Sequence, residues 1–281
     1  MKTDIKRTAL NISTFCNLKC KNCLAFIPYY KDPSNLKYEE ACSILDNYFK
    51  VVDSVEHFTV TGGEPLLNKD VCKILKEVYK YKNQVFQSID FVTNATIEIP
   101  TELLDLFERN KEKTKIVLSN YGPQLSTKID TIECEIKERG IPYRISRFFG
   151  NNLYYDGWID FTDHSLKWNN LKERDDNAQK CIHRVGKYFV IDNGELHCCS
   201  RSFWRIKQGI IPKIIGEYVP LMDESLSIEE KRKILMEMYD KKAVRHVHIV
   251  LDCAMMPKEL PRRNNWKIDN RSICKYCRSG E

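Results

Sequence analysis

Apolar residues recur along the first 150 positions at two alternating periods. Short β-branched runs read as strands, and longer stretches with apolar residues every three or four positions read as amphipathic helices. TALNIS (8–13) is the first strand and YEEACSILDNYFKVVD (38–53) the first helix. HFTVTGG (57–63) is a buried strand ending in glycines, followed by a helix over 69–82. SIDFVTN (88–94) predicts a third strand, and IPTELLDLFERNK (99–111), opening on Pro100, the next helix. KIVLSN (115–120), a helix over 126–140 closed by Gly140, and PYRISRFF (142–149) continue the series. Repeated strand-then-helix units predict an α/β fold with a parallel sheet, open or curled into a full or partial barrel.

The pattern changes after residue 150. Residues 150–180 are aromatic, polar and aperiodic, as a connector or substrate loop would be. KYFVIDNGELHCC then reads as a hairpin: strand 187–191, a turn at Asp192-Asn193-Gly194, strand 195–199. A helix over 227–241 and a loop-rich basic tail follow. The change of pattern places a domain boundary near 175, dividing the chain into 1–175 and 176–281.

Parallel sheets bind ligands at the carboxyl ends of their strands. The polar and glycine-rich punctuation falls there. Cys16 to Cys23 follow the first strand, Gly62-Gly63-Glu64 the second, Thr93-Asn94 the third and Ser119-Asn120 the fourth.

Composition narrows the class. With 42% hydrophobic and 30% charged residues, the 281-residue chain describes an ordinary globular fold. No run of 18 uncharged apolar residues is present, and MKTDIKRTAL lacks the apolar core of a signal peptide, so the expected location is the cytoplasm and no membrane partner is expected. The net charge of +6 is spread along the chain, which argues against a nucleic-acid stripe and at most favours an anionic ligand.

Twelve cysteines in a reducing compartment argue for metal or cluster ligation rather than disulfides. Cys42, Cys72 and Cys134 sit singly in helical segments, as small buried hydrophobes do. The others form three groups: Cys16, Cys20 and Cys23; Cys181, Cys198 and Cys199; Cys253, Cys274 and Cys277. Thiolates suit zinc and iron–sulfur clusters, and closed sites of either kind take four protein ligands. Three thiols spaced C-x3-C-x2-C on one loop, with no fourth cysteine or histidine nearby, therefore imply a centre with one open position. A zinc site completed by Cys274 and Cys277 is the alternative.

CNLKCKNC, followed by TGGEPLL after the second strand, resembles the radical S-adenosylmethionine (radical SAM) superfamily. The resemblance implies a partial (β/α)6 TIM-like barrel, S-adenosylmethionine as cofactor, and a four-iron four-sulfur cluster on Cys16, Cys20 and Cys23 with one iron left open for SAM. It also implies that Gly62, Gly63 and Glu64 form the loop on the SAM amino group, glycines permitting close backbone approach. Thr93, Asn94, Ser119 and Asn120 fall on the SAM-contacting edge. Asn22 departs from the aromatic residue usual before the third cysteine, so Phe15 or Phe26 is expected to supply the adenine surface.

Cys181, Cys199, Cys274 and Cys277 (C-x12-G-x4-C, then C-x2-C) resemble the twitch extension, a shortened SPASM domain that holds one auxiliary cluster in radical SAM dehydrogenases. A small β-hairpin plus helix cluster-binding domain follows from that resemblance. Strand alternation is expected to turn Cys198 away from Cys199, with Cys253 as a spare, and a four-cysteine zinc knuckle is the alternative.

The implied reaction is hydrogen abstraction by a 5′-deoxyadenosyl radical, with one auxiliary cluster accepting the second electron, as in a dehydrogenase-like oxidoreductase. The expected substrate is a small sugar or cyclitol, including phosphorylated or nucleotide-linked forms, since only 15 residues precede Cys16 and leave no room for a leading peptide-binding domain. Tyr154, Tyr155, Trp158, Asp160, Asp163, His164 and Trp168 have the composition of a sugar site, or of a packed connector. Arg144 and Arg147 are candidate phosphate anchors. Asp160, Asp163, His164, His183 and His197 are candidate bases. Flavodoxin or ferredoxin is the expected electron donor. Peptide modification, epimerisation, and a zinc-binding nucleic-acid module using the KELPRRNNWK tail are the competing readings.

Overall fold

The computed structural model describes residues 2–20, 23–151, 153, 172 and 187–240. Five strands and four helices alternate through its first half: β1 (Asp4–Asn11), α1 (Tyr38–Val51), β2 (Ser54–Thr61), α2 (Val71–Lys80), β3 (Val85–Thr93), α3 (Thr101–Arg109), β4 (Thr114–Asn120), α4 (Ile129–Glu138) and β5 (Tyr143–Arg147). Then come β6 (Tyr188–Asp192), β7 (Glu195–His197), α5 (Ser200–Lys207), β8 (Tyr218–Pro220) and α6 (Ile228–Asp240). The eight strands of the described residues form one sheet, in the order β5-β4-β3-β2-β1-β6-β7-β8. The six from β5 to β6 are parallel, as the strand-then-helix periodicity requires, and β7 and β8 return antiparallel.

Alternation along each strand divides its side chains between two faces. Leu10, Phe58, Val60, Ile89, Phe91, Ile116 and Leu118 turn toward the helices and join Ile44, Leu45, Tyr48, Leu75, Val78, Leu103 and Phe107 in one core. Tyr48 of α1 donates to Thr8 Oγ1 at 2.7 Å, which fixes that face of β1 outward. The opposite face is the barrel interior, and it carries a polar row: Arg7 on β1, His57 on β2, Ser88 and Asp90 on β3, Lys115 on β4, Arg144 on β5 and Tyr188 on β6, with Ala9, Val92, Val117 and Val190 on the same face.

The hairpin expected over 187–199 is present, its turn made by Asn193 and Gly194 at φ 47° and 76°. Its first strand is hydrogen-bonded to β1 and extends the barrel sheet, and the expected boundary at 175 lies outside the described residues. The second strand ends at His197, so Cys198 and Cys199 follow it instead of belonging to it. Both are buried, and Cys199 is the extended N-cap of α5, which removes the strand alternation expected to separate them.

Cys42 lies half-buried on α1, Cys72 half-buried on α2 and Cys134 buried on α4. Among the described residues no helix is long and apolar enough to cross a membrane.

Candidate active site

Because β1 to β4 run parallel, the loops that follow them emerge at one edge of the sheet. The strand ladder continues beyond β1 and β2 into those loops. Ile12 N donates to Thr61 O at 2.8 Å, Gly63 N to Ser13 O at 2.7 Å and Glu64 N to Phe15 O at 2.8 Å. This backbone seam holds the Gly62-Gly63-Glu64 segment directly against the entrance of the cysteine loop. The glycines are required by that seam. A Cβ on Gly63 would lie 2.8 Å from the Phe15 carbonyl carbon and 3.0 Å from Cys16 Cβ, and one on Gly62 2.9 Å from Ser13 N. The missing side chains let one loop approach the other.

The far side of the cysteine loop is pinned as well. Leu36 N donates to Ile12 O at 2.9 Å and Thr14 N to Ser34 O at 2.8 Å, while the buried Asn68 amide donates to Ile12 O and Leu36 O.

Glu64 is fully buried, and its carboxylate is already engaged. Oε1 accepts from Leu66 N at 3.1 Å and from Thr93 Oγ1 at 2.9 Å, and Oε2 accepts from Asn94 N at 2.8 Å. Burial raises its pKa while these three donors oppose the rise. Its side chain therefore ties the end of β2 to the end of β3. Asn94 carries the linkage onward, donating from Nδ2 to Asn17 Oδ1 at 3.0 Å and to Cys16 Sγ at 3.8 Å. Leu18 N also points to Cys16 Sγ, at 3.4 Å.

Cys16, Cys20 and Cys23 lie within electrostatic reach of one another. Burial, with the neighbouring sulfurs opposing ionisation at Cys16 and Cys20, raises all three thiols, Cys20 to about 11. Cys23 is nonetheless faced by the backbone N–H groups of Ile27, Ala25 and Phe26. Donors aimed at sulfur favour the thiolate that a metal binds, and binding there would displace protons. Among the described residues, no three His, Cys, Asp or Glu side chains close on the volume of a single ion. Three soft donors on one loop, supplied with N–H groups, fit a thiolate-ligated cluster, which spreads its ligands over several irons.

Tyr121, just past β4, is half-buried, with its pKa raised by desolvation and by Cys20, Cys23 and Cys16. It brings the fourth strand to the same site. Ser119 supports the Tyr121 hydroxyl, and Asn120 Oδ1 accepts from Gly122 N at 2.9 Å to shape the turn. Phe26 is buried against Trp204, centroids 4.7 Å apart, whereas Phe15 remains 41% exposed; Asn22 lies outside the described residues.

Beneath this mouth, the interior row forms one electrostatic unit. His57 Nδ1 meets Ser88 Oγ at 2.9 Å, and Ser88 donates to Asp90 Oδ1 at 2.6 Å. Burial raises Asp90, and Lys115, Arg144 and Arg7 all act on it. Burial and the same three cations hold His57 down at about 4, and burial holds Lys115 down at about 8. Arg7 donates to Tyr188 Oη at 3.2 Å. Of the two candidate phosphate anchors, Arg144 faces this interior. Arg147 falls on the other face, exposed, with its guanidinium over the Phe149 ring.

His197, a candidate base, is buried on β7 with Nε2 3.0 Å from Glu195 Oε2 and its ring stacked on Tyr218. Asp160, Asp163, His164, His183, Cys181, Cys253, Cys274 and Cys277 lie outside the described residues, as do Tyr154, Tyr155, Trp158 and Trp168. Asn17, Asn68 and Tyr121 were not anticipated. Their polar side chains in loops carry no periodicity, and only the folded loops show what they hold.

The sequence model of the Radical SAM superfamily matches residues 10–143, the span that contains the cysteine loop, the glycine loop and β2 to β4. The matched span, just under half of the chain, is similar to a radical SAM domain. Curated relatives align over less than half of the chain. A protein named "Probable GTP 3′,8-cyclase" from Methanococcus aeolicus is 25% identical over 142 residues, 49% of this chain and 45% of that protein. One of the same name from Methanocaldococcus jannaschii is 29% identical over 133 residues, covering 45% and 40%. The chain thus spans under half the length of the curated relatives it matches.

Among solved structures, anSMEcpe with bound AdoMet superposes at a TM-score of 0.52 and 15% identity, over 84% of this chain and 82% of that one. The same protein with AdoMet and the Kp18Cys peptide gives 0.50 at 14% identity, over 89% and 88%. The likeness shows a shared fold that reaches beyond the radical SAM domain.

Proposed function

We propose that this chain is a radical SAM enzyme that takes a hydrogen atom from a small polyhydroxylated molecule, a sugar or cyclitol, and completes a two-electron oxidation at an alcohol carbon. The observation that carries the reading is the hydrogen-bonded seam between the cysteine loop and the glycine loop, at the mouth of a polar barrel. Bound there, a four-iron four-sulfur cluster with SAM on its open iron supplies a 5′-deoxyadenosyl radical. Cys16, Cys20 and Cys23 hold the cluster. Gly62, Gly63 and Glu64, with Thr93, Asn94, Ser119 and Asn120, form the SAM side of the cavity, Glu64 and Asn94 by fixing the loops in place. The interior row of Arg7, His57, Ser88, Asp90, Lys115 and Arg144 favours a hydroxylated or phosphorylated substrate over an apolar one.

In this reading Cys181, Cys199, Cys274 and Cys277 hold one auxiliary cluster in a twitch-like domain that begins near residue 176, and that cluster is the one-electron acceptor. Asp160, Asp163 and His164 supply the substrate side. Flavodoxin or ferredoxin delivers the electron that starts each turnover. A second reading, modification of a peptide side chain, draws on the shared fold with anSMEcpe, which was solved with a peptide.

The test uses anaerobically reconstituted full-length protein, SAM, dithionite, and either ring-deuterated polyols or deuterated peptides. Deuterium appearing in 5′-deoxyadenosine from a polyol, with release of the oxidised product, is the expected result. Transfer only from peptides would replace the polyol reading with the second one.

A further inference from the structure

Asp192 ends β6, and the parallel pairing of β6 with β1 sets it beside Asn11, the last residue of β1 before the chain enters the cysteine loop. Asn11 Nδ2 donates to Asp192 Oδ1 at 2.6 Å. The other oxygen, Oδ2, is buried and receives no hydrogen bond, and the residue is 3% exposed. Leaving a buried polar atom unsatisfied costs about 1–3 kcal/mol, more for a charged one, so such an atom calls for a specific reason.

Its position supplies one. Asp192 feels the thiol of Cys199 on one side. On the other side Tyr30 lies within reach of both Asp192 and Cys23, with the Lys207 ammonium 5.5 Å above its ring. The carboxylate is thus within electrostatic reach of Cys199 and shares Tyr30 as a neighbour with Cys23, while Asn11 ties it to the start of the cysteine loop. Burial raises its pKa to about 7.

Resting on the polyol reading above, we propose that Asp192 is the residue that grips the substrate's hydroxyl: Oδ2 accepts the hydrogen bond of an alcohol group, while Asn11 holds Oδ1 and leaves the second oxygen unpaired. In its ionised form the carboxylate only accepts hydrogen bonds, so this subsite then selects a donor. Phosphate or carboxylate groups on the same molecule would be turned toward the cationic row of Arg7, Lys115 and Arg144. Asp192 acts by positioning one C–H bond, since a hydroxyl held at a fixed point leaves its own carbon little freedom.

The experiment compares wild type with Asp192→Asn and Asp192→Ser, all reconstituted at full length. The probes are ring-deuterated myo-inositol, glucosamine and glucose 6-phosphate, together with ribose-deuterated GTP. Binding is measured by equilibrium dialysis with SAM and no reductant, and deuterium transfer to 5′-deoxyadenosine after dithionite is added.

In wild type one of the polyols binds and transfers deuterium. Asn replaces the Oδ2 acceptor with a donor, and binding of that polyol weakens about tenfold or more, with KM rising in parallel. Iron per chain and melting temperature remain those of wild type. Ser retains a hydroxyl acceptor and recovers part of the affinity; being smaller than Asp, it also carries the comparison if Asn disturbs the fold.

Wild-type affinity in both variants overturns the assignment of Asp192 and leaves the polyol reading standing. A wild-type enzyme that transfers deuterium from no polyol, or from GTP alone, overturns the polyol reading and this assignment with it.

Discussion

Replacing Gly63 with alanine should loosen the cysteine loop and release its cluster, although Gly63 ligates nothing. The added Cβ would stand 2.8 Å from the Phe15 carbonyl carbon and closer still to its oxygen. Carbon atoms pack at about 3.5–4.0 Å, so the two loops must part by about 0.7 Å or more. Both groups in the clash are backbone, and no side-chain rotation relieves it. Parting the loops stretches the Gly63 N to Ser13 O and Glu64 N to Phe15 O bonds, now 2.7 and 2.8 Å.

Two backbone hydrogen bonds contribute about 0.5–1.5 kcal/mol each and overpacking costs about 1–3 kcal/mol, for a total of about 2–6 kcal/mol. At the middle of that range, about 4 kcal/mol, the melting temperature of a protein this size falls by roughly 8–16 °C. The assay is a melting curve on cluster-free protein beside an iron determination after anaerobic reconstitution. Gly63→Ala with wild-type melting and wild-type iron would show that the seam does not hold the loop.

Other substitutions probe the same architecture. Glu64→Gln places an amide N–H₂ against donors now served by a carboxylate, and should cost about 1–3 kcal/mol in melting experiments and weaken SAM binding. His57, held at about 4 against an ordinary 6.5, stays neutral in the fold while the unfolded chain takes up a proton. Its contribution is therefore present above pH 6.5 and is lost as pH falls toward 4. Wild type should lose more melting temperature than His57→Gln across that window, and parallel curves would contradict the buried-cation account. Cys199→Ala is expected to lose the auxiliary iron and Cys198→Ala to keep it, as read by iron content; the opposite outcome exchanges their roles.

The outer face of the barrel was legible in the sequence because its strands and helices bury apolar side chains at the periods of 2 and 3.6. The ends of the elements were less so. β1 begins at Asp4, not Thr8, since its first turns of the pleat carry Lys6 and Arg7, and Arg7 faces a polar interior that gives no apolar signal. The same interior hid the linkage of His57, Ser88, Asp90, Lys115 and Arg144, which come from four strands and meet only when the sheet curls.

Pairing of β6 with β1 joins positions 181 residues apart, as Asn11 and Asp192 show, and no local pattern encodes that. Asp192, expected in the turn, is the last residue of β6. α5 went unread because its buried face includes Arg201 and Arg205. The cysteine and glycine loops were legible because their chemistry is carried by residue type and spacing, although what the glycines approach became visible only in the fold.

The most direct measurement is reductive cleavage of SAM by the anaerobically reconstituted full-length protein, set beside Cys16→Ala, Cys20→Ala and Cys23→Ala. Wild type should be brown, bind about eight irons per chain if both cysteine sets hold cubane clusters, and release methionine and 5′-deoxyadenosine when dithionite is added. Each single variant should lose about half the iron and all of the cleavage. Colourless wild-type protein holding stoichiometric zinc, or cleavage that survives loss of any one of the three thiols, would contradict a radical-generating centre on this loop.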